Sequence, residues 1–142
     1  VESVYSTALN SSSELAIKND NVVLNLKFKD GSIGNLSYLS NGNKSYPKEQ
    51  VSLFCEGKVF DLDNYKKVNA YGSNSMKKWS QDKGHKDEMI GFVENIKSSK
   101  ENLISFESLV NTTLATFAHV KSLEENRMVS ISELEDELNG LI

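Results

Sequence analysis

Apolar and polar residues alternate with a period of two through the first two-thirds of the chain, then recur every three to four residues through the last third. That order predicts strands followed by helices, an α+β arrangement and not repeated βαβ units. In "NVVLNLKFKDGSIGNLSYLS", Val22, Leu24, Leu26 and Phe28 fall on one face of a strand, while Asn25, Lys27 and Lys29 fall on the other. Asp30-Gly31 is a two-residue hairpin signal before a return strand over Ile33 to Leu39. In the next hairpin Val51, Leu53 and Cys55 alternate, Glu56-Gly57 turns and Val59 to Leu62 returns; "YKKVNAYG" adds a further strand. The start, "VESVYSTAL", reads as a partial strand with Val4, Thr7 and Leu9 among polar positions. The sum is a mostly antiparallel sheet of about six strands with two main helices packed on one face and the other face open.

The helical period begins at Asp82, placed as an N-cap before Met89, Phe92, Val93 and Ile96, and is expected to run to about Ser98. A second helix is capped by Ser105, with Ile104 and Leu109 as a hydrophobic staple. Its apolar stripe is Phe106, Leu109, Val110, Leu114, Phe117, Val120 and Leu123. In "SISELEDELNGLI", Ser132 and Glu135 have the spacing of a capping box, and Leu134, Leu138 and Leu141 share a face. Residues 131–142 are therefore expected to form a short terminal helix or tail. The loop from Asn41 to Glu49 holds the single proline, and that from Gly72 to Lys83 the single tryptophan. Long connections of this kind carry function more often than short ones.

Composition narrows the class. A chain of 142 residues, 38% of them apolar, suits a single domain over 1–142. A net charge of −4 and a pI near 5.2 provide no positive field to gather phosphate backbones, so nucleic acid is not an expected partner. No apolar run has the length of a membrane span and the first residues have no signal-peptide pattern, so a cytoplasmic location is expected. The lone Cys55, in "VSLFC", is expected to be a small buried hydrophobe and not a reactive thiol. The chain begins with Val and not Met, which suggests a piece of something longer.

The sequence contains no glycine-rich dinucleotide or phosphate loop, no paired metal-ligand spacing and no nucleophile elbow. No catalytic residue, cofactor site or metal site is therefore expected in the chain. Of the two histidines, His119 sits within a helical pattern beside Ala118 and Val120, as a packed or surface residue would. His85 lies in "QDKGHKDE", where the loop gives way to a helix. Gly84 permits close backbone approach there, the helix start favours an anion, and Lys83 and Lys86 add charge. The same residues also serve as an ordinary polar helix start.

The ordered series "NVVLNLKFKDGSIGNLSY", "PKEQVSLFCEGKVFDLDNYKKVNAYG", "QDKGHKDEMIGFVENIKSS" and "ISFESLVNTTLATFAHVKSLEENRMVSI" resembles the C-terminal domain of the Gfo/Idh/MocA family of NAD(P)-dependent oxidoreductases. The likeness covers 21–131, and "DKGH" resembles a branch found in bacterial two-domain dehydrogenases. It implies that an N-terminal Rossmann domain, absent from this chain, holds NAD(P), while the present residues form a substrate wall and an oligomer interface. It also implies inactivity of this part alone, since the family's Glu-Lys-Pro and Asp-x-x-x-His motifs are not found here. The expected substrate is a sugar, sugar nucleotide or similar polyol. Residues placed to contact it are Lys44 and Tyr46 in the proline loop, Lys78 and Trp79 before the first helix, and Gln81, Lys83 and His85 at its start. The open sheet face, with Asn25, Lys27, Lys29 and Asn35 or Ser37, suits substrate, solvent or a second subunit, and a homo-oligomer through that face is expected. The competing readings are a non-enzymatic module that dimerises through its open sheet, and a free-standing carbohydrate-binding module.

Overall fold

The computed structural model describes residues 1–9, 19–77, 80–98 and 102–140. They divide into two compact units, Val1–Asn41 with Ile104–Ile142, and Gly42–Leu103. The α+β class and the antiparallel pairing expected from the sequence are both present. The strands form two four-stranded sheets, and two strands of two residues each join the six anticipated.

In the first unit, β1 (Ser3–Ala8), β2 (Asn21–Lys27) and β3 (Ile33–Leu39) pair antiparallel. Val4 lies opposite Leu26, and Leu24 lies between Ser6 and Leu36, so these side chains share a face. The 20-residue helix Phe106–Glu125 lies against β1 on that face, and its buried residues are Leu114, Ala118 and Ser122. Small residues at a four-residue spacing let helix and strand approach closely. The anticipated stripe is otherwise turned out: Phe106, Leu109, Phe117 and Val120 are exposed, and Leu123 is half-buried. The predicted Ser105 cap is in place, its hydroxyl accepting from the Ser108 N–H at 3.1 Å.

The turn after β2 is longer than the two residues expected. Lys27 pairs with Ile33, leaving 28–32 as the loop, with Gly31 at φ +88°. Asp30 shapes it by accepting from the Ser32 N–H at 2.9 Å and hydroxyl at 2.7 Å, which hold its carboxyl below the usual range. Lys29 therefore belongs to the turn and not to the open sheet face.

Past the long helix, Asn126 in the left-handed region (φ 51°) ends it, and Val129–Ser130 returns as a short strand on the free side of β1. Pairing ends there, and the Ile131 N–H donates to the Glu2 carbonyl at 2.9 Å. The chain turns directly into the helix Ile131–Asn139, so its N-cap is Ser130 with Glu133, two residues ahead of the expected Ser132 and Glu135. Ile131 and Leu134 are buried, Leu138 is exposed and Leu141 lies outside the described residues. With Val4, Leu114, Ala118 and Val129 they form the core.

Ser122 joins these parts. Beyond Val4, β1 has no partner strand on the Val129 side among the described residues, and the buried Ser6 N–H instead donates to Ser122 Oγ at 2.9 Å. The Ser122 hydroxyl in turn donates to the Arg127 carbonyl at 2.6 Å. Nearby, Lys121 binds Glu133 at 2.8 Å and also Glu137, while Arg127 reaches both Glu133 oxygens at 2.9 and 2.6 Å. These cations pull the Glu133 carboxyl down to about 2.

In the second unit, β4 (Gln50–Cys55), β5 (Lys58–Asp63), β6 (Lys67–Tyr71) and β7 (Met76–Lys77) form a meander. Cys55 pairs with Lys58 across Glu56-Gly57, both at positive φ, which is the anticipated two-residue hairpin. Val51, Leu53, Phe60, Leu62, Val68 and Ala70 share one face, and none is buried. Cys55, expected inside, is exposed because β4 is the outer strand and none of its apolar face is buried among the described residues. Helix α1 (His85–Ser98) follows and buries none of its residues.

Two outcomes are expected. Ser122→Ala strands the Ser6 N–H and the Arg127 carbonyl, lowering stability by about 1–3 kcal/mol, read as a lower urea midpoint at unchanged slope. Because the Glu133 carboxyl is depressed on folding, its stabilisation is complete above its ordinary 4.5 and fades as pH falls toward about 2. Glu133→Gln should flatten the acid limb of the denaturation curve in that window.

Candidate functional site

Of the residues singled out from the sequence, the structure gathers Gln81 and Lys83. The gathering point is the β5–β6 turn, where Asn64 (φ 48°) and Tyr65 (φ 53°) are both left-handed and the Lys66 N–H closes on the Asp63 carbonyl at 2.9 Å. This geometry matches the right-handed twist of the flanking strands. A tyrosine in it is unusual, since a bulky side chain is strained at positive φ.

The contacts around the turn explain how it is held. The Asn64 N–H donates to the Glu49 carbonyl at 2.7 Å, and Asn64 Oδ1 accepts from Gln81 Nε2 at 2.8 Å. The Asp82 N–H donates to the Tyr65 carbonyl at 3.1 Å. Lys83 Nζ lies 3.6 Å from the Glu49 carboxylate and 5.6 Å from the centre of the Tyr65 ring, within cation–π range. Asp82 Oδ1 accepts from the Gly84 N–H at 2.9 Å, forming an Asx turn and not the expected helix cap. Gly84, at φ +78°, bends the chain, and the Glu88 N–H bonds its carbonyl, so α1 starts at His85, two residues later than an Asp82 cap would place it.

Among the described residues, the remaining candidates His85, Tyr46 and Lys44 make no hydrogen bond or ion pair with this cluster. His85 is exposed in the first turn of α1. Tyr46 is exposed and its hydroxyl donates to Gln50 Oε1 at 3.2 Å, at the start of β4. Lys44 is exposed in the preceding loop, and Lys78 and Trp79 lie outside the described residues. Glu49, Asn64 and Tyr65 were not anticipated. The available signal was Asp63-Asn64 between two alternating runs, a turn signal that says nothing of what docks on the turn. The assembled groups are amides, an ammonium, a phenol and a carboxylate, which can hydrogen-bond a hydroxylated or acidic ligand. Among the described residues no three His, Cys, Asp or Glu side chains are arranged to hold a metal.

The open face of the first sheet is the second polar surface. Asn25 and Asn35 are directly opposite and joined, Asn35 Nδ2 donating to Asn25 Oδ1 at 3.1 Å. Lys27 on the same face pairs with Glu2 at 3.1 Å, and Ser37 is exposed beside them. By contrast, a shallow groove of about 600 Å³ along the long helix is lined by Ile104, Ser108, Leu109, Thr112, Thr113 and Thr116. The three threonine hydroxyls donate to carbonyls of their own helix, so they present methyl groups and no chemistry.

His119 belongs to the fold. Its Nδ1 is 2.9 Å from the hydroxyl of the buried Ser6, and desolvation lowers its pKa.

No protein-family model and no curated protein matches the chain. Solved structures do, among them these two. A probable dehydrogenase from Thermotoga maritima has a TM-score of 0.70 at 24% identity, covering 94% of this chain and 44% of its own. A provisionally named NADPH-dependent oxidoreductase from Desulfitobacterium hafniense has 0.69 at 16%, covering 94% and 43%. At these identities the likeness is one of fold: the chain shares the fold of part of each neighbour, and it spans less than half the length of either. No helix among the described residues is long and apolar enough to cross a membrane.

Lowering of the His119 pKa sets a sign. The unfolded chain binds the proton more readily, so stability falls as pH drops from the ordinary 6.5 through the lower folded value. His119→Gln should remove that slope in denaturant midpoints measured across the window, and an NMR titration should find His119 below 6.5.

Proposed function

We propose that this chain is the substrate-side and oligomerising part of a Gfo/Idh/MocA-like NAD(P)-dependent oxidoreductase acting on a sugar, sugar nucleotide or similar polyol. The observation that carries the reading is the fold likeness, which takes in 94% of this chain and less than half of each oxidoreductase. The ordered motifs over 21–131 point the same way.

The present residues do not fit a nicotinamide site. Every strand pair here is antiparallel, and the glycine ahead of α1, Gly84, is not part of a glycine-rich strand-to-helix turn. The cofactor is assigned to a nucleotide-binding domain elsewhere in the full-length protein, and no step of hydride transfer is assigned to this chain. Its contribution is to orient a polyol and exclude water, with Gln81, Lys83 and His85, or the Asn25–Asn35 face, supplying hydrogen bonds. The Asn25 face is also the surface offered to a second subunit.

The test uses the full-length protein from the reading frame that contains Val1, with the 142-residue chain alongside. Fluorescence titration should show NADH or NADPH binding by the full-length protein and none by the chain alone. A polyol panel should then reveal cofactor reduction, and light scattering should give the mass of more than one copy. A full-length protein that binds neither cofactor would sink the proposal, and an oligomer without cofactor binding would favour the non-enzymatic dimerising module.

A further inference from the structure

Helix α1 is unusual for an amphipathic helix, because the apolar residues that predicted it are exposed. Met89 is 61% exposed, Phe92 49% and Ile96 62%. An amphipathic helix draws most of its stability from burying that stripe. Leu103 does lie against it, since a methyl group added at Gly91 would fall 2.8 Å from Leu103 Cδ1. That contact joins α1 to residues following it in the chain and gives it no hold on the β4–β7 sheet.

The hold on the sheet is at the other end and is polar. Residues 80–84 cross the β5–β6 turn and touch it with successive groups: Gln81 to Asn64, the Asp82 N–H to the Tyr65 carbonyl, and Lys83 to both the Tyr65 ring and Glu49. Glu49 also binds the turn directly, its carbonyl accepting from the Asn64 N–H. Two consecutive residues in the left-handed region require such external support. Immediately after these contacts comes Gly84 at φ +78°, with open space around it, and then the first turn of α1. Anchor, glycine pivot and helix follow one another within a few residues.

We propose that residues 80–84 are a strap whose polar latch on the Asn64–Tyr65 turn sets the direction of α1, making α1 an arm that moves as one piece when the latch opens. The inference does not depend on which ligand or cofactor the protein uses. The latch contacts are exposed or half-exposed, with the Lys83 and Glu49 side chains 39% and 42% accessible, so the latch opens far more readily than the sheet unfolds. Salt weakens its ionic contact.

Hydrogen exchange on the chain tests this with Gln81→Ala combined with Lys83→Met, surface changes that leave the sheet ladders intact. Amides of 82–98 should exchange roughly three- to tenfold faster than in the parent, while amides of β4, β5 and β6 keep their rates. Raised salt should move the parent in the same direction to a smaller extent. Unchanged exchange in α1 would overturn the proposal. So would an equal acceleration across the whole sheet, because the strap would then be part of the unit's global stability and not a latch.

Discussion

The first unit depends on one buried hydroxyl. A two-residue strand cannot cover the whole free side of β1, and a buried N–H left open at Ser6 would oppose packing the long helix there. Ser122 resolves this because it is small enough for close approach and can accept and donate at once. Its acceptance fixes the helix against β1, and its donation to Arg127 fixes the return of the chain toward Val129. The return then places Ser130 as the cap of the last helix and brings Ile131 and Leu134 into the core. The Lys121, Arg127 and Glu133 ion pairs reinforce this path from outside.

The two units solve the folding problem differently. The first has a closed apolar cluster around Val4, Leu114 and Val129. The second has no buried residue among those described, so its strands are held by ladder hydrogen bonds and turn contacts. Its polar contacts consequently carry more of the local order than similar contacts would in a packed domain. The candidate ligand groups sit among these contacts, where Lys83 and Gln81 are already engaged.

What was legible in the sequence followed from periodicity and turn chemistry. The alternation around Val22 to Leu26, the Glu56-Gly57 hairpin and the Ser105 cap all appear where local pattern placed them. The misses have a common physical cause, which is that tertiary partners choose among locally equivalent options. Ser130 and Ser132 are both acceptable caps, and the pairing of Val129 with Val4 selects the first. Asp82 has the side chain of an N-cap but spends it on the Gly84 N–H. The apolar stripe of the long helix is read correctly as apolar, yet the helix turns Ala118 and Ser122 inward because β1 approaches too closely for Phe117. In the candidate cluster, Gln81 and Lys83 are singled out by the loop-to-helix transition. Their partners Glu49, Asn64 and Tyr65 come from distant sequence, where the Asp63-Asn64 turn signal says nothing of what docks on the turn.

Tyr65 has an implication for how the protein would respond to selection in the laboratory. Glycine is the residue that a left-handed turn position favours, so enrichment for thermal survival alone would tend toward it. Such a variant would gain a relaxed hairpin and lose the ring beneath Lys83. Optimisation for robustness alone would thus erase the aromatic from this corner, and with it the cation–π contact that holds Lys83 over the turn.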